Sequence, residues 1–586
     1  MCGLAGFVNL DGAPADLAVI AAMTRSLAHR GPDDRGEQAF SLRGQETPDS
    51  ALGFRRLKIL DLSDRGHQPM ANPAGTILLA CNGEVYNAFD YKAELESAGF
   101  RFRSRSDTEV VLYLYERYGL DGMLERLNGM FAIAIADLRS QVVHLARDHF
   151  GIKPLYWTQA GPAVLFASEL KALLSHPAFV PQIDERSVDE QLAFRYVSGA
   201  DTLLKGVHQL RPGHRLTIAP GGVTSARYWS IPERVDGGSV PREAADQLDR
   251  LLRDSVRSQL LSDVKVGCQL SGGIDSSLVT ALARSEGAAS DAFSVIFEDP
   301  KFSEEPWIAE ASAVTGSASH RWLFSEDAFI EPLEAATWHM DQPISHPNSL
   351  GIWLLARHAR QHVTVLLSGE GADEVFAGYS RFQKAAQQSP EEFVQATMFQ
   401  RPSKLTQLRP DADLAGVLAG RATVFAEGHG NPLANCLKYD MQTFLVDVLM
   451  RQDKMTMAHG VENRVPFLDR RVVEFARSLS DEQLLGPGRP KAVVKDVARR
   501  YFGESFVERP KAAFNLPLSQ YFRSARFTAL MEDQLLPGMT QRGLVSVPAV
   551  RALWKRSLSA PALTEIFWIP VALELWAQQF IDRRRV

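Results

Sequence analysis

Two glycine-containing loops, each between an apolar strand and a helix, constrain the fold of this chain of 586 residues most strongly. The first, SGG over residues 271–273, follows the run VKVGCQL, and the second, SGEG over residues 368–371, follows VTVLL. A third apolar run, AFSVIF, lies between them. Strand, glycine turn and helix in repetition predict a parallel α/β sheet. From about residue 385 the pattern is mostly helical, and we predict that the late stretch LTEIFWIPVALELWAQQF is a packed apolar helix.

The first part of the chain has a different pattern. Short apolar strands such as CGLAGFVNL, TILLACNGEVYN and MFAIAIADL are bounded by Gly, Asn and Asp, with a helical stretch from Thr108 to Tyr118. This pattern predicts packed sheets with helices outside them. Residues 211–240 are rich in Gly and Pro, which is typical of a junction. We therefore predict a first domain over 2–210, a linker over 211–235 and a second domain over 236–586.

The composition excludes several classes of protein. A content of 45% hydrophobic and 23% charged residues is that of an ordinary soluble protein, and a net charge of −6 argues against general affinity for nucleic acid. The cysteines form no CxxC pair, which fits a reducing cytosol. No apolar run approaches the roughly 18 residues that cross a bilayer, and the start of the chain lacks the features of a signal peptide. We expect a cytoplasmic protein with small-molecule partners and no membrane or nucleic-acid partner.

Cys2 is a candidate nucleophile. It becomes the first residue when the initiator methionine is removed, and its own α-amine can then take the thiol proton. The pKa of an α-amine, about 7.7–8.0, lets this group act as both base and acid near neutral pH.

Several further segments accompany Cys2 along the first domain: HRGPDDRG (29–36), LGFRRLKILDL (52–62), GHQPM (66–70), NGEVYN (82–87) and SDTEVVL (106–112). Together with MCGLAGF they resemble, in order, the glutaminase domain of the N-terminal-nucleophile hydrolases, as found in glutamine-hydrolysing asparagine synthetases. The resemblance implies an α+β sandwich of sheets flanked by helices. The resemblance to a glutaminase domain also implies that Cys2 hydrolyses glutamine.

The resemblance also assigns roles to individual residues. Arg56 would hold the α-carboxylate of glutamine, although Arg55 could exchange roles with it, and Asp107 would hold the ammonium group. Asn82 and the backbone N–H of Gly83 would form the oxyanion hole. The implied glutamine-binding residues are Arg56, Asn82, Glu84 and Asp107.

In the second domain, SGGIDSS (271–277) resembles the pyrophosphate-binding loop of ATP-pyrophosphatases, and LSGEGADEVFAGY (367–379) resembles a segment of asparagine synthetases. The pattern GxxxxGK[ST] of a P-loop is absent. The resemblance implies that Glu370 relays a proton and that Lys491 contacts the α-phosphate. Asp275 and Asp373 would bind Mg²⁺. The implied residues for ATP and pyrophosphate are Leu270, Ser271, Gly272, Gly273, Asp275, Ser276, Val295, Ser368, Gly369 and Lys491.

The two halves together predict an α/β enzyme that forms an acyl-adenylate with ATP and amidates it with ammonia from glutamine, delivered through an internal passage. Aspartate is the expected acceptor. The segment 341–349, which falls where the family lines its acceptor pocket, contains no arginine, so a sugar acid, a peptide or a secondary metabolite remains the alternative. A glutaminase with an inactive second domain and a non-catalytic scaffold are two further hypotheses. A homodimer is implied by the resemblance alone.

Overall fold

A computed structural model describes residues 2–234, 243–288, 290–486, 488–510 and 516–582 of the chain. The predicted end of the linker at 235 and the predicted start of the second domain at 236 lie outside these residues. Three sheets organise the described residues, two in the first half of the chain and one in the second. The α/β fold class expected from the sequence is confirmed.

Two antiparallel sheets form the first half. The first has the strand order β10-β8-β9-β1-β3-β2, and the second β12-β11-β7-β6-β5-β4. An apolar core that includes Leu4, Phe54 and Ala80 lies between the sheets, and Cys2 belongs to it. The strands β1 to β12 are Gly3–Asn9, Asp34–Phe40, Ser50–Arg56, Met70–Ala71, Ile77–Val85, Gly129–Asp137, Val142–Arg147, Tyr156–Ala160, Ala163–Ala167, Val207–Gln209, His214–Ala219 and Gly222–Arg227.

The predicted linker over 211–235 is corrected by the structure. Strands β11 and β12 lie within it, and β11 pairs with β7 in the second sheet of the first half. The glycines that suggested a junction serve as turns instead, since Gly213 and Gly222 have φ angles of +66° and +129°. The first half therefore extends at least to Arg227.

Helices cover the outer faces of the two sheets. Helix α1 packs on β3 of the first sheet and α3 packs on β5 of the second. The predicted helix from Thr108 to Tyr118 extends further in both directions and bends at Gly119, where φ is +70°. The helices α1 to α5 of this half are Leu17–Ser26, Lys92–Ser97, Asp107–Arg126, Leu170–Leu173 and Glu185–Phe194.

A parallel sheet forms the centre of the second half, with the order β15-β14-β13-β16-β17. The three apolar runs that predicted strands correspond to β13, β14 and β16. Strands β15 and β17 were missed. The sequence ASHRWL of β15 mixes polar and apolar residues, and β17 has three residues in a region whose pattern is otherwise helical. The strands β13 to β17 are Val266–Gln269, Asp291–Ile296, Ala318–Leu323, Val365–Leu367 and Glu462–Arg464.

Helices make up most of the remaining chain, as predicted. Within the described residues, no helix is both long enough and apolar enough to span a membrane. The helices α6 to α26 are Ala244–Gln259, Ile274–Ser285, Glu305–Thr315, Glu326–Ile330, Leu333–Met340, Ser349–Ala359, Ala372–Val375, Pro390–Ala396, Pro402–Leu408, Leu414–Phe425, Pro432–Gln442, Phe444–Met457, Arg470–Ala476, Asp481–Leu485, Ala492–Ala498, Glu504–Val507, Leu518–Tyr521, Ala525–Ala529, Leu536–Arg542, Val547–Ser557 and Thr564–Phe580.

Helix α26, the predicted apolar helix, holds the segment 341–349 in place. Two of its tryptophans are fully buried. Trp576 Nε1 donates to the backbone carbonyl of Asp341 at 2.8 Å, and Trp568 Nε1 donates to that of Ile344 at 2.6 Å. Each indole therefore combines a large buried apolar surface with a hydrogen bond to this segment.

We expect Trp576→Phe to lower the free energy of unfolding by about 1–3 kcal/mol, since the Asp341 carbonyl loses its indole donor in a buried site. Urea unfolding measures this change. Trp157→Phe, at a half-buried tryptophan on β8, is the matched control and should change stability less. Equal losses in the two variants would contradict the prediction.

Candidate functional site

Cys2 is held immediately before strand β1 by contacts to both of its backbone groups. Its nitrogen donates to Asn82 Oδ1 at 3.0 Å, and its carbonyl oxygen accepts a hydrogen bond from Arg30 Nε at 2.9 Å. Burial raises the pKa of the Cys2 thiol, while a hydrogen bond from the Leu57 backbone and the charge of Arg56 act in the opposite direction. The thiol is therefore fixed in an enclosed position that favours its neutral form, and the Leu57 N–H and Arg56 offset part of this effect.

The sheet register distinguishes the two candidate arginines. Strands β1 and β3 pair so that the same register, continued by one residue, places Cys2 opposite Arg56. Arg55 lies on the other face of β3, where its Nε donates to the Thr24 carbonyl at 3.3 Å. The buried Arg56 guanidinium donates to carbonyl oxygens of the loop 60–63 at 2.5–3.0 Å. Of the two, Arg56 is thus the one on the side of Cys2.

Asn82 and Gly83 are neighbours on β5. The Asn82 side chain connects Cys2 to Ser168, because its Nδ2 donates to Ser168 Oγ at 3.4 Å. A Cβ atom on Gly83 would lie 2.0 Å from the carbonyl oxygen of Met130 on the adjacent strand, so only glycine allows this approach. Ser168 was not among the residues predicted from the sequence.

A group of buried carboxylates lies beside this site. Asp107, the first residue of α3, accepts a hydrogen bond from the Val85 backbone at 2.9 Å. Burial raises the pKa of Glu84 and of Asp107, and the charge of Glu462 raises both further. Burial would also raise the pKa of Glu462, but positive charges that include Arg464 lower it to about 2. Because Glu462 comes from β17, this acidic patch is built by both halves of the chain.

The two glycine loops of the second half meet at the first turn of α7. Strands β13 and β16 are parallel neighbours, so the loops that follow them leave the same edge of the sheet. A Cβ on Gly369 would lie 2.6 Å from the backbone nitrogen of Ser276. Gly272 has a φ of +84°, which favours glycine, and the Ser271 N–H donates to Ser276 Oγ at 3.2 Å.

These loops line a cavity of about 530 Å³, a volume in the range of small-molecule sites. Gly272 is outside its lining, and its carbonyl accepts a hydrogen bond from Arg509. Arg451, Lys495 and Arg509 also line the cavity, and positive side chains of this kind suit phosphate and carboxylate groups. The predicted residues that line it are Leu270, Ser271, Gly273, Asp275, Ser276, Val295, Ser368, Gly369, Glu370, Asp373 and Lys491.

Lys491 joins the two predicted metal-binding carboxylates. Its Nζ lies 2.5 Å from Asp275 Oδ2 and 2.7 Å from Asp373 Oδ1. Burial alone would lower the pKa of Lys491, but the two carboxylates raise it above its usual value. Its φ of +57° is uncommon for a residue other than glycine, and such backbone strain is concentrated at functional sites.

The same carboxylates fit a magnesium ion. Asp275 Oδ1 is buried and has no hydrogen-bond partner in the part of the chain that the structure describes. Within that part, no three His, Cys, Asp or Glu side chains are grouped as a metal site. Magnesium is typically bound by one or two carboxylates together with water and substrate phosphates. Asp275 and Asp373 therefore fit an ion that binds together with ATP.

Buried ion pairs connect the two halves next to Cys2. Arg30 is fully buried and bridges Glu169 of the first half and Asp453 of the second, at 2.8 Å from each carboxylate. Lys153 Nζ lies 3.3 Å from the other oxygen of Asp453. Because Arg30 also donates to the Cys2 carbonyl, the predicted nucleophile is attached directly to this interface.

A second centre of the interface is Asp341, the first residue of the segment 341–349. Its carboxylate lies 2.7 Å from Lys171 Nζ of the first half and 3.2 Å from Lys454 Nζ of the second. Lys454 also donates to Tyr156 Oη at 2.8 Å, and Lys171 pairs with Glu169. Asp341 is thus connected to the ion pairs around Arg30.

These interface residues were missed in the sequence. Asp453 and Lys454 stand within the helical run DVLMRQDKMTM, which mixes charged, polar and apolar residues, so nothing in the sequence marked them as buried. Arg30 lies within HRGPDDRG, a segment that was recognised, although no role was assigned to it.

Comparisons with known proteins follow the same division. A family model described as asparagine synthase matches residues 247–578, and one described as glutamine amidotransferase domain matches residues 1–229. The glutamine-hydrolyzing asparagine synthetase 1 of Bacillus subtilis is 32% identical, covering 89% of this chain and 88% of that protein. The glutamine-hydrolyzing asparagine synthetase 3 of the same organism is 30% identical, covering 88% and 87%. The protein named Amidase chyE of Penicillium rubens is 33% identical over 65% of this chain and 60% of its own length.

Glu374, next to Asp373, gives the second half a pH-dependent stability. Burial and the charges of Asp373 and Glu370 raise its pKa from 4.5 to about 7, and Tyr379 Oη donates to it at 2.6 Å. As the pH rises, the carboxyl ionises first in the unfolded chain. The stabilisation by the neutral form is therefore complete below about pH 4.5 and is lost as the pH rises to 7.

We expect the free energy of unfolding of the wild-type chain to fall between pH 5 and pH 8 by about 3 kcal/mol relative to Glu374→Gln, whose amide does not titrate. Urea unfolding across this range measures the difference. Glu391→Gln, at an exposed position, is the control for removal of one charge. If the free energies of unfolding of the wild-type chain and Glu374→Gln differ by the same amount at every pH, the carboxyl does not titrate as predicted.

Proposed function

Because the chain belongs to the asparagine synthase family, we propose that it converts L-aspartate to L-asparagine with ammonia from glutamine, cleaving ATP to AMP and pyrophosphate. The observation that carries this proposal is the presence of two formed sites in one chain. In the first, Cys2 is enclosed opposite Arg56 beside an acidic patch. In the second, both glycine loops line one cavity together with Lys491.

In the first half, Cys2 acts as the nucleophile on the side-chain amide of glutamine. Removal of the initiator methionine turns the Cys2 nitrogen, now held by Asn82 Oδ1, into an α-amine. This amine takes the thiol proton as sulfur attacks the amide carbon, and it returns the proton to the leaving ammonia. Asn82 Nδ2 and the Gly83 N–H stabilise the oxyanion. Water then hydrolyses the thioester and releases glutamate.

Charged groups of the first half orient glutamine. Arg56 binds the α-carboxylate, since a guanidinium forms paired hydrogen bonds to such a group. Glu84 and Asp107 bind the α-ammonium group. An ammonium ion between these carboxylates offsets the burial and the like-charge repulsion that raise their pKa values, which supports this assignment.

In the second half, the acceptor carboxylate attacks the α-phosphorus of ATP, an acyl-adenylate forms and pyrophosphate leaves. The loop 271–277 and the start of α7 bind the phosphates through backbone N–H groups. Lys491 stabilises the charge that develops on the α-phosphate. Asp275 and Asp373 would hold magnesium, which would neutralise charge on the pyrophosphate.

Ammonia then attacks the acyl carbon of the adenylate, the amide forms and AMP leaves. The nitrogen carries an extra proton after this attack, and Glu370 accepts it. The position of Glu370 in the lining of the cavity, next to Gly369 and the phosphate loop, supports this role. The second candidate is the same reaction on a different carboxylate, which is favoured by the lack of an arginine in the segment 341–349.

We expect aspartate to raise the release of pyrophosphate at least about tenfold over a reaction without acceptor, in the presence of glutamine and ATP, with asparagine formed in equal amount. A panel of sugar acids, peptides and other carboxylic acids is assayed in parallel. Stimulation by another acid, with no response to aspartate, would overturn the assignment of aspartate and retain the amidotransferase mechanism.

Cys2→Ala should abolish glutamine-dependent synthesis but leave synthesis from added ammonium salt within about twofold of wild type, because the second site does not use the thiol. Cys81→Ala is the matched control, since Cys81 is also a buried thiol but lies on β5 of the second sheet, in a different apolar core from Cys2. It should retain both activities. Loss of both activities in Cys2→Ala, with a normally folded chain, would contradict the two-site mechanism.

A further inference from the structure

Arg451 supplies to the second cavity the arginine that the segment 341–349 lacks. It lies on α17 and lines the cavity with Asn348, Gly351 and Ile352. Its Nη1 donates to Asn348 Oδ1 at 3.0 Å. Its Nε is buried and has no hydrogen-bond partner within the described ranges of the chain. A buried guanidinium N–H without a partner is unfavourable, and an anion in the cavity would satisfy it.

The charge of Arg451 is also available, unlike that of the lysines in the same lining. Lys491 is paired with two carboxylates, and Lys495 Nζ lies 3.0 Å from a carboxylate oxygen of Glu508. Arg451 forms no ion pair with any carboxylate in the described part of the chain. Its guanidinium donates a hydrogen bond to the neutral amide of Asn348 instead.

The surroundings of Arg451 on α17 do not neutralise it. Asp447, one turn earlier, lies 3.4 Å from His346 Nε2 and accepts a hydrogen bond from Gln342 at 3.1 Å. Burial lowers the pKa of His346 and of Arg195, and the charge of Arg451 lowers both further. Asp447 is therefore engaged by His346 and Gln342 and forms no ion pair with Arg451 in the described part of the chain.

We infer that Arg451, oriented by Asn348, binds a second anionic group of the acceptor, so that the acceptor carries an anion in addition to the carboxylate that is adenylated. The inference rests on the proposed amidation and specifies the chemical class of its substrate. A guanidinium with one nitrogen held by Asn348 can still bind a carboxylate through its remaining N–H groups. In aspartate the second anion is the α-carboxylate. An acid with a single carboxylate leaves the guanidinium unpaired.

The test compares acceptors that differ only at this second group: aspartate, its α-amide, and β-alanine, which lacks the α-carboxylate. Pyrophosphate release is measured with the full chain, ATP and glutamine. We expect kcat/KM for aspartate to exceed that for the other two by about 100-fold or more. If a monocarboxylic acid is the best acceptor, the inference is overturned while the amidotransferase reaction stands. If a different dicarboxylic acid is the best, the inference stands and aspartate is the wrong acceptor.

Variants then assign the effect to Arg451. Arg451→Gln should lower kcat/KM for the dicarboxylic acceptor about 100-fold, mainly through KM, and reduce its preference over the α-amide to within a few fold. Arg451→Lys should recover part of the loss because it keeps the charge. Arg357→Gln, at an exposed arginine on α11, is the control for charge removal. Glutamine hydrolysis by each variant reports on correct folding.

The phosphates of ATP are the other anions that this side chain could bind. The KM for ATP distinguishes the two cases, since our inference requires it to stay within about threefold of wild type in Arg451→Gln. A large rise in the KM for ATP, with an unchanged preference for aspartate over its α-amide, would place Arg451 at the nucleotide and overturn the inference.

Discussion

The position of each site relative to the other depends on the buried ion pairs between the two halves. Arg30 contacts the Cys2 carbonyl, Glu169 and a carboxylate of the second half, while Asp341 is held by lysines from both halves. Buried charges are costly to desolvate, and the loss of one partner leaves another charge uncompensated. The halves therefore cannot shift against each other without breaking several pairs together, and this constraint fixes the geometry of the interface.

The same pairs lead from Cys2 to the cavity that the two glycine loops line. Glu169 pairs with Lys171 as well as with Arg30, and Lys171 pairs with Asp341. Asp341 begins the segment 341–349, whose residue Asn348 orients Arg451 in the cavity wall. A contiguous series of contacts thus joins the two sites, and α26 supports it from the other side through its tryptophans.

The parts of this structure that follow local patterns could be predicted from the sequence. The strands before the glycine loops, the loops themselves and the position of Cys2 depend on short runs of residues. Strand β17 could not be predicted, since its three residues become a strand only by pairing with β16. The pairing of Lys171 with Asp341 and the arrival of Arg451 beside Asn348 join residues about a hundred or more positions apart. The spacing of residues in a single sequence does not predict such distant contacts. A charged residue that is buried in the fold also cannot be told from an exposed one in the sequence.

In the proposed function, ammonia passes from the Cys2 site to the second cavity. The charges between the two sites favour its neutral form. The carboxylates of Glu84 and Asp107 suit the ammonium group of glutamine, which remains bound while the side-chain amide is cleaved. An ammonium ion that left this site would lose its hydration among ion pairs that already satisfy one another, at a far greater cost than neutral ammonia. Neutral ammonia is also the form that can attack an adenylate. The interface that fixes the two sites in space therefore also favours transfer of the reactive species.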